Sequence, residues 1–223
     1  MVSLSKKSTI LAAIFFVALS FPGTSAFADP PSNETIQEWW HKNSREEMTI
    51  EGKPVQIGLR SKEVAFLVPV GFYHRGRNSI WHAVLVRPAL EEVREAEDPV
   101  GNEFEARDLD HDGISEIVTS VSGSGQGTTR GDRSIIQFDS WKPVVLHQAS
   151  FHDDLGWCGP PSLGYEECTA KEVTFKFPDL DGDGKDDLLE EIVIKKGSRP
   201  DRLKARKKTN RYLFNGNTFI RKK

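Results

Sequence analysis

The densest concentration of chemistry in this 223-residue chain is a ten-residue pattern that occurs twice. Residues 108–117 read DLDHDGISEI, and residues 179–188 read DLDGDGKDDL. Both follow one template: Asp, any residue, Asp, any residue, Asp, Gly, two of any residue, an acid, then an aliphatic. The offset is 71 residues (179 − 108) at every position, and Phe104 and Phe175 share it, four residues ahead of each first aspartate. The chain repeats an acidic loop together with the segment that enters it.

Aspartates at alternate positions of a tightly turning backbone aim their oxygens at one point, and glycine at position six permits the bend. Left alone, such carboxylates repel one another. A hard cation that takes six to eight oxygens at ~2.3–2.6 Å would neutralise them, and Ca2+ is the expected ion at two sites. Mg2+ wants fewer protein oxygens and stricter octahedral geometry, which makes it the second choice. The first site would use Asp108, Asp110 and Asp112, the backbone carbonyl of Ile114, and Glu116. The second would use Asp179, Asp181 and Asp183, the carbonyl of Lys185, and Asp187. Aspartate and glycine are also common in solvated turns, but the full template met twice favours a metal over that reading.

Two architectures use loops of this kind. An EF-hand joins two helices, with an aliphatic at position 8 and a bidentate Glu at position 12. Glu190 meets position 12 of the second copy, but Thr119 stands there in the first. Position 8 is Ser115 in one loop and Asp186 in the other, while position 10 is aliphatic in both. The flanks, FEAR and IVTSVS around one loop and FKFP and LLEEIVI around the other, read as extended. Each unit is expected to be strand–loop–strand, over 104–122 and 173–194.

FEARDLDHDGISEIV and FKFPDLDGDGKDDLL resemble the calcium-binding FG-GAP or VCBS repeats of integrin-α propellers and of many exported bacterial proteins. The match covers about 15 residues in each copy. It implies that each acidic loop joins two strands and that positions 1, 3, 5, 7 and 9 hold calcium, the same residues named above. The Phe-Gly/Gly-Ala-Pro signature is absent, and a full propeller is far larger than this chain. The expectation is therefore a reduced β-propeller-like or sandwich-like domain. The small size and the ending YLFNGNTFI are similar to compact exported members, some of which resemble periplasmic lysozyme inhibitors.

The elements that must position these loops read as mostly antiparallel β. PVQIGL, EVAFLVPV, SIWHAVLVRP, SIIQF and EVTFKF are short runs rich in Val, Ile and Phe, separated by Gly, Pro, Asn or Asp. Asn215-Gly216 between RYLF and NTFI is a strong hairpin signal. One short helix is expected within residues 32–48, capped by Ser32 or Asn33, with Trp39 and Trp40 docked on the domain. Residues 120–134, SVSGSGQGTTRGDRS, read as a long flexible loop. No Gly-Lys-Ser/Thr follows, so a phosphate-binding P-loop is not supported. The Arg130-Gly131-Asp132 tripeptide needs no receptor to explain it.

Residues 1–28 carry Lys6 and Lys7, an apolar run from about Ile10 to Phe21 and a small-residue end at Ala26-Phe27-Ala28, the pattern of a secretory signal peptide. The run is shorter than the ~20 residues a spanning helix needs. A single domain over residues 29–223, periplasmic or secreted, is the expectation. Cys158 and Cys168 fit a disulfide in that compartment, closing a short loop worth about 3 kcal/mol in the chain-entropy view. The acidic balance gives no sign of a nucleic-acid partner, and no transmembrane segment remains after cleavage. From Lys195 to Lys223, twelve Lys or Arg residues face one acid, Asp201, which suits a solvated hairpin loop or a patch for an anionic partner.

Other chemistry is sparse. His147 and His152 with Asp153 and Asp154 form the one histidine cluster, and their spacing matches no zinc pattern. The chain is expected to be an exported calcium-binding interaction module and not an enzyme, acting on a protein or envelope component. An inhibitor of an envelope enzyme is the alternative. A metal-dependent hydrolase built on His147 and His152 is third.

Overall fold

The computed structural model describes residues 29–72, 80–159 and 167–222; the segment expected to be a signal peptide lies outside them. The helix α1 (Asn33–Asn43) comes first, and the strands follow in chain order. They are β1 (Met48–Ile50), β2 (Val55–Gly58), β3 (Val64–Phe72), β4 (Ile80–Arg87), β5 (Glu92–Glu95), β6 (Glu103–Arg107) and β7 (Glu116–Gly125). Next come β8 (Thr128–Asp139), β9 (Lys142–Asp153), β10 (Cys168–Lys176), β11 (Leu188–Gly197), β12 (Lys204–Phe214) and β13 (Phe219–Lys222).

α1 starts where Ser32 caps it, its hydroxyl accepting from the Thr35 N–H at 3.2 Å. Ile36 and Trp40, four apart, are its buried stripe. The Trp40 indole N–H donates to the Glu46 carbonyl at 2.8 Å, which fixes the chain as it leaves the helix. That face rests on a five-stranded sheet in which β3 is central, with β4 and β5 on one side and β1 and β2 sharing the other. Phe66, Val68, Val70 and Phe72 of β3 meet the helix, while Ala65 and Leu67 face the opposite way. Burial on both faces accounts for the unbroken apolar run VAFLVPV of Val64–Val70.

The second sheet is an eight-stranded antiparallel meander, β6 through β13 in order, curled into a half-barrel. Ile117, Ile136 and Phe138 at its β7–β8 end pack under the first sheet against Ile57, Leu59, Leu67 and Leu85. Its curled interior is a separate cluster that includes Leu109, Val118, Ile135, Val173, Phe175, Leu188 and Phe214. The result is helix on sheet on half-barrel: an all-β, sandwich-like domain with one helix, as the sequence led one to expect.

One segment differs from that reading. Residues 120–134 are not a loop, because β7 and β8 stay paired out to Gly125↔Thr128. Gln126 (φ 50°) and Gly127 (φ 77°) form the tip, and two successive left-handed residues suit the twist of a tight hairpin. The far end of β7 is exposed on both faces and that of β8 is polar and mostly half-buried on both, so neither shows the apolar–polar alternation that marks a strand in sequence. Likewise, Lys204–Lys208 are strand and not loop. Cys158 and Cys168 are bonded, with their Cα atoms 4.8 Å apart.

Candidate metal centres

Each acidic loop joins neighbouring antiparallel strands, the first between β6 and β7 and the second between β10 and β11. Position 1 shapes both. Asp108 accepts from the Asp112 and Gly113 N–H groups, each at 3.0 Å. Asp179 accepts from Gly182 at 2.6 Å and Gly184 at 3.1 Å, and these bonds hold its carboxyl below the ordinary aspartate range. The position 6 glycines, Gly113 (φ 83°) and Gly184 (φ 84°), both lie in the left-handed region that the turn requires.

The carboxylates gather as two groups. One oxygen from each of Asp108, Asp110 and Asp112 lies within 4.8 Å of the others, and the same holds for Asp179, Asp181 and Asp187. Two ligands bound at about 2.4 Å to one ion cannot be more than about 4.8 Å apart, so each triad meets the spacing needed to share one hard cation. All six donors are carboxylate oxygens, the set that Ca2+ and Mg2+ prefer. Asp183 stands outside the second triad, its Oδ1 accepting from the Lys185 N–H at 2.9 Å. At the corresponding place in the first loop, Asp112 Oδ1 accepts from the Ile114 N–H at 2.7 Å.

Position 9 serves as a staple. Glu116 is fully buried; its Oε2 accepts from the Leu109 N–H at 2.8 Å and its Oε1 from the Gln137 amide at 2.6 Å. Asp187 repeats the first bond with Leu180 N–H at 2.9 Å, and its Oδ1 accepts from Phe214 N–H at 2.8 Å. Burial pushes the Glu116 carboxyl up to about 7, against the pull of its two hydrogen bonds and with added repulsion from Asp110 and Asp108.

Residues far away in sequence complete the surroundings, and no motif announced them. Gly58 of β2 lies so close to the first loop that a Cβ there would sit 1.9 Å from the Gly113 carbonyl oxygen. Its N–H donates to Ser115 Oγ, and its carbonyl accepts from the Ser115 N–H, both at 2.9 Å. Ser115 at position 8, the residue that argues against an EF-hand, is thus the tie to the first sheet. The Lys62 ammonium donates to the Asp112 carbonyl and lies 3.1 Å from its carboxylate. Lys185 of the second loop reaches to 3.6 Å from Asp110 of the first, and the Asp186 N–H donates to the Leu109 carbonyl at 2.7 Å. The Asn215–Asn217 turn closes an open cleft of about 430 Å³ with Arg60, Asp110, Asp112, Ile114 and Gln137.

His147 and His152 do not form a joint site. His147 and His152 are five apart on β9, an odd separation that sends them to opposite faces. His147 turns inward to Glu190, 3.4 Å away, among Phe175, Tyr212 and Phe219. Burial lowers its pKa, and the Glu190 charge opposes that shift. Glu190 also accepts from Asn210 and, at 3.3 Å, from the Tyr212 hydroxyl, so it belongs to the half-barrel interior and not to the acidic loop. His152 lines a separate cleft with Arg130, Asp132 and Asp154. No helix among the described residues is long and apolar enough to cross a membrane. No protein-family profile matches the chain, and neither does any curated protein or solved structure.

Proposed function

We propose that the protein is an exported interaction module whose two acidic loops are structural Ca2+ sites, similar in kind to FG-GAP/VCBS repeats. A three-carboxylate cluster at each of the two loops supports this reading, built from positions 1, 3 and 5 in the first and from positions 1, 3 and 9 in the second. Asp108, Asp110 and Asp112 would hold one ion, and Asp179, Asp181 and Asp187 the other. A bound cation neutralises carboxylates that otherwise repel, and its binding energy goes to the folded state alone. The placement gives that energy leverage. The first loop is tied to the first sheet through Gly58, and the second to the C-terminal hairpin through Phe214. The disulfide fits an oxidising, extracytoplasmic compartment.

Extracellular calcium modules bind at about 0.1–1 mM, so Ca2+ at about 10 mM adds roughly 1.4–2.7 kcal/mol per site. Thermal unfolding with calcium and with excess chelator measures this directly. Identical melting temperatures in the two buffers would remove the metal from the proposal.

A further inference from the structure

The C-terminal hairpin carries the chain's positive charge to a sheet edge that is only half covered. β12 is paired with β11 from Lys204 to Tyr212, but β13 covers its other side only from Arg211 to Phe214. Among the described residues, no strand pairs with the outer side of Lys204–Asn210. Seven residues of strand span about 23 Å. With a ladder on one side only, every second residue there turns its N–H and C=O outward without a backbone partner.

The side chains along this edge are unusually uniform. Lys204 through Thr209 are all exposed. Lys204, Arg206 and Lys208 stand opposite Lys196, Ile194 and Ile192 and share their face. Lys171 of β10, opposite Ile194 from the other side, continues the cationic row inward. Lys207, on the reverse face, is paired with Glu191 at 3.2 Å. No such partner lies beside Lys204, Arg206 or Lys208 among the described residues.

Lysines on an edge strand commonly act against sheet-to-sheet association, because a neutral or basic strand would bury or confront their charge. A second copy docking through the same edge would set lysine and arginine against lysine and arginine. The same chemistry favours one kind of strand: an extended segment with carboxylates at alternate positions, which pairs across each cation while its backbone completes the ladder. A lipid headgroup surface could use the charge but not the row of backbone donors and acceptors.

We propose that the outer edge of β12, Lys204–Asn210, is a strand-addition site for an extended acidic segment of a partner protein. This names the partner chemistry for the interaction module proposed above and rests on that reading.

The probe is a blocked ten-residue peptide alternating Glu and Thr, titrated into the exported chain by fluorescence anisotropy at two salt concentrations. Two further peptides carry backbone N-methyl groups on one or the other alternate set of residues, so that only one set blocks the ladder. Binding should weaken with salt, fall at least about tenfold in a Lys204→Glu/Arg206→Glu/Lys208→Glu variant of unchanged melting temperature, and be lost for one N-methylated peptide only. Equal binding of all three peptides would overturn the strand-addition site. So would tighter binding to vesicles of anionic lipid than to the peptide, or self-association that the triple variant abolishes in the absence of peptide binding. A calcium-dependent melting shift that persists while the peptide fails to bind sinks only this inference. Peptide binding without a calcium shift sinks only the metal reading.

Discussion

The two acidic loops share a template and a backbone course but not a setting. In both, position 1 accepts from the turn's own N–H groups and position 9 accepts from the N–H of position 2. Beyond those bonds they diverge. The first loop lies against β2, receives Lys62 on Asp112 and Lys185 beside Asp110, and buries a longer position 9 acid that reaches Gln137. In the second loop, Asp179, Asp181 and Asp183 are exposed and no lysine or arginine pairs with them among the described residues. Its position 9 acid secures the final hairpin through Phe214. Position 4 differs as well: His111 is held at φ 60°, where Gly182 serves in the other copy at φ 82°. A non-glycine residue in that region costs about 1–2 kcal/mol. Local sequence shapes the loop; neighbours distant in the chain set its charge.

The largest test of this contrast is the second staple. Asp187→Ala leaves the Phe214 and Leu180 N–H groups without their acceptor, at about 1–3 kcal/mol each. A loss of roughly 2–6 kcal/mol in chemical unfolding, with the C-terminal hairpin opening first in hydrogen exchange, is the expected outcome. If stability were unchanged, or if the hairpin amides stayed protected, position 9 would not fasten the second loop to the hairpin.

The next test separates the loops by pH. Glu116 has a folded-state pKa of about 7, above the usual glutamate value near 4.5. The folded protein therefore holds this proton more tightly than the unfolded chain does. Its contribution is present at low pH and is lost as pH rises from about 4.5 through 7, a cost on the order of 1–3 kcal/mol in chelator. His147 acts in the opposite sense: burial lowers its pKa, so its contribution is present above the unfolded value near 6.5 and is lost as pH falls. Comparing wild type with Glu116→Gln isolates the first effect. The glutamine variant, which like the neutral acid offers one carbonyl oxygen, should be close to wild type at pH 5 and should lose less stability between pH 5 and 7.5. Parallel curves for the two proteins would show that the Glu116 setting is not special.

Much of this was legible in the residues, and the reasons are physical. The carboxylate spacing, the position 6 glycine and the Asn215-Gly216 turn act within ten residues, so their meaning does not depend on the rest of the fold. The same holds for the strand–loop–strand reading, which rested on Ser115, Asp186 and the aliphatic position 10. The β7–β8 hairpin was hidden because its outer half is polar, without apolar alternation, and its turn is Gln126-Gly127 and not Asn-Gly. Lys62, Gly58, Gln137 and Phe214 were hidden for another reason. They reach their loops across 21 to 57 residues of chain, and only the packing of sheet on half-barrel brings them there.

The smallest effect addresses the charges themselves. Lys62 stands 3.1 Å from the Asp112 carboxylate, with more than half of its side chain exposed. As a surface pair it contributes little to stability, about 0–1 kcal/mol. Against a divalent cation at the first triad it counts for more, because the ammonium both occupies a ligand oxygen and repels a doubled charge. Lys62→Met should therefore leave chelator-state stability nearly unchanged while tightening calcium at the first loop by about five- to tenfold. Calorimetric titration resolves this as a change in the weaker of two affinities, with the second loop unaffected. The gain should shrink as salt is raised, since screening already weakens an exposed charge. An equal shift at both affinities would mean that Lys62 acts through the fold rather than on Asp112. No shift at either would mean that Lys62 does not distinguish the two loops.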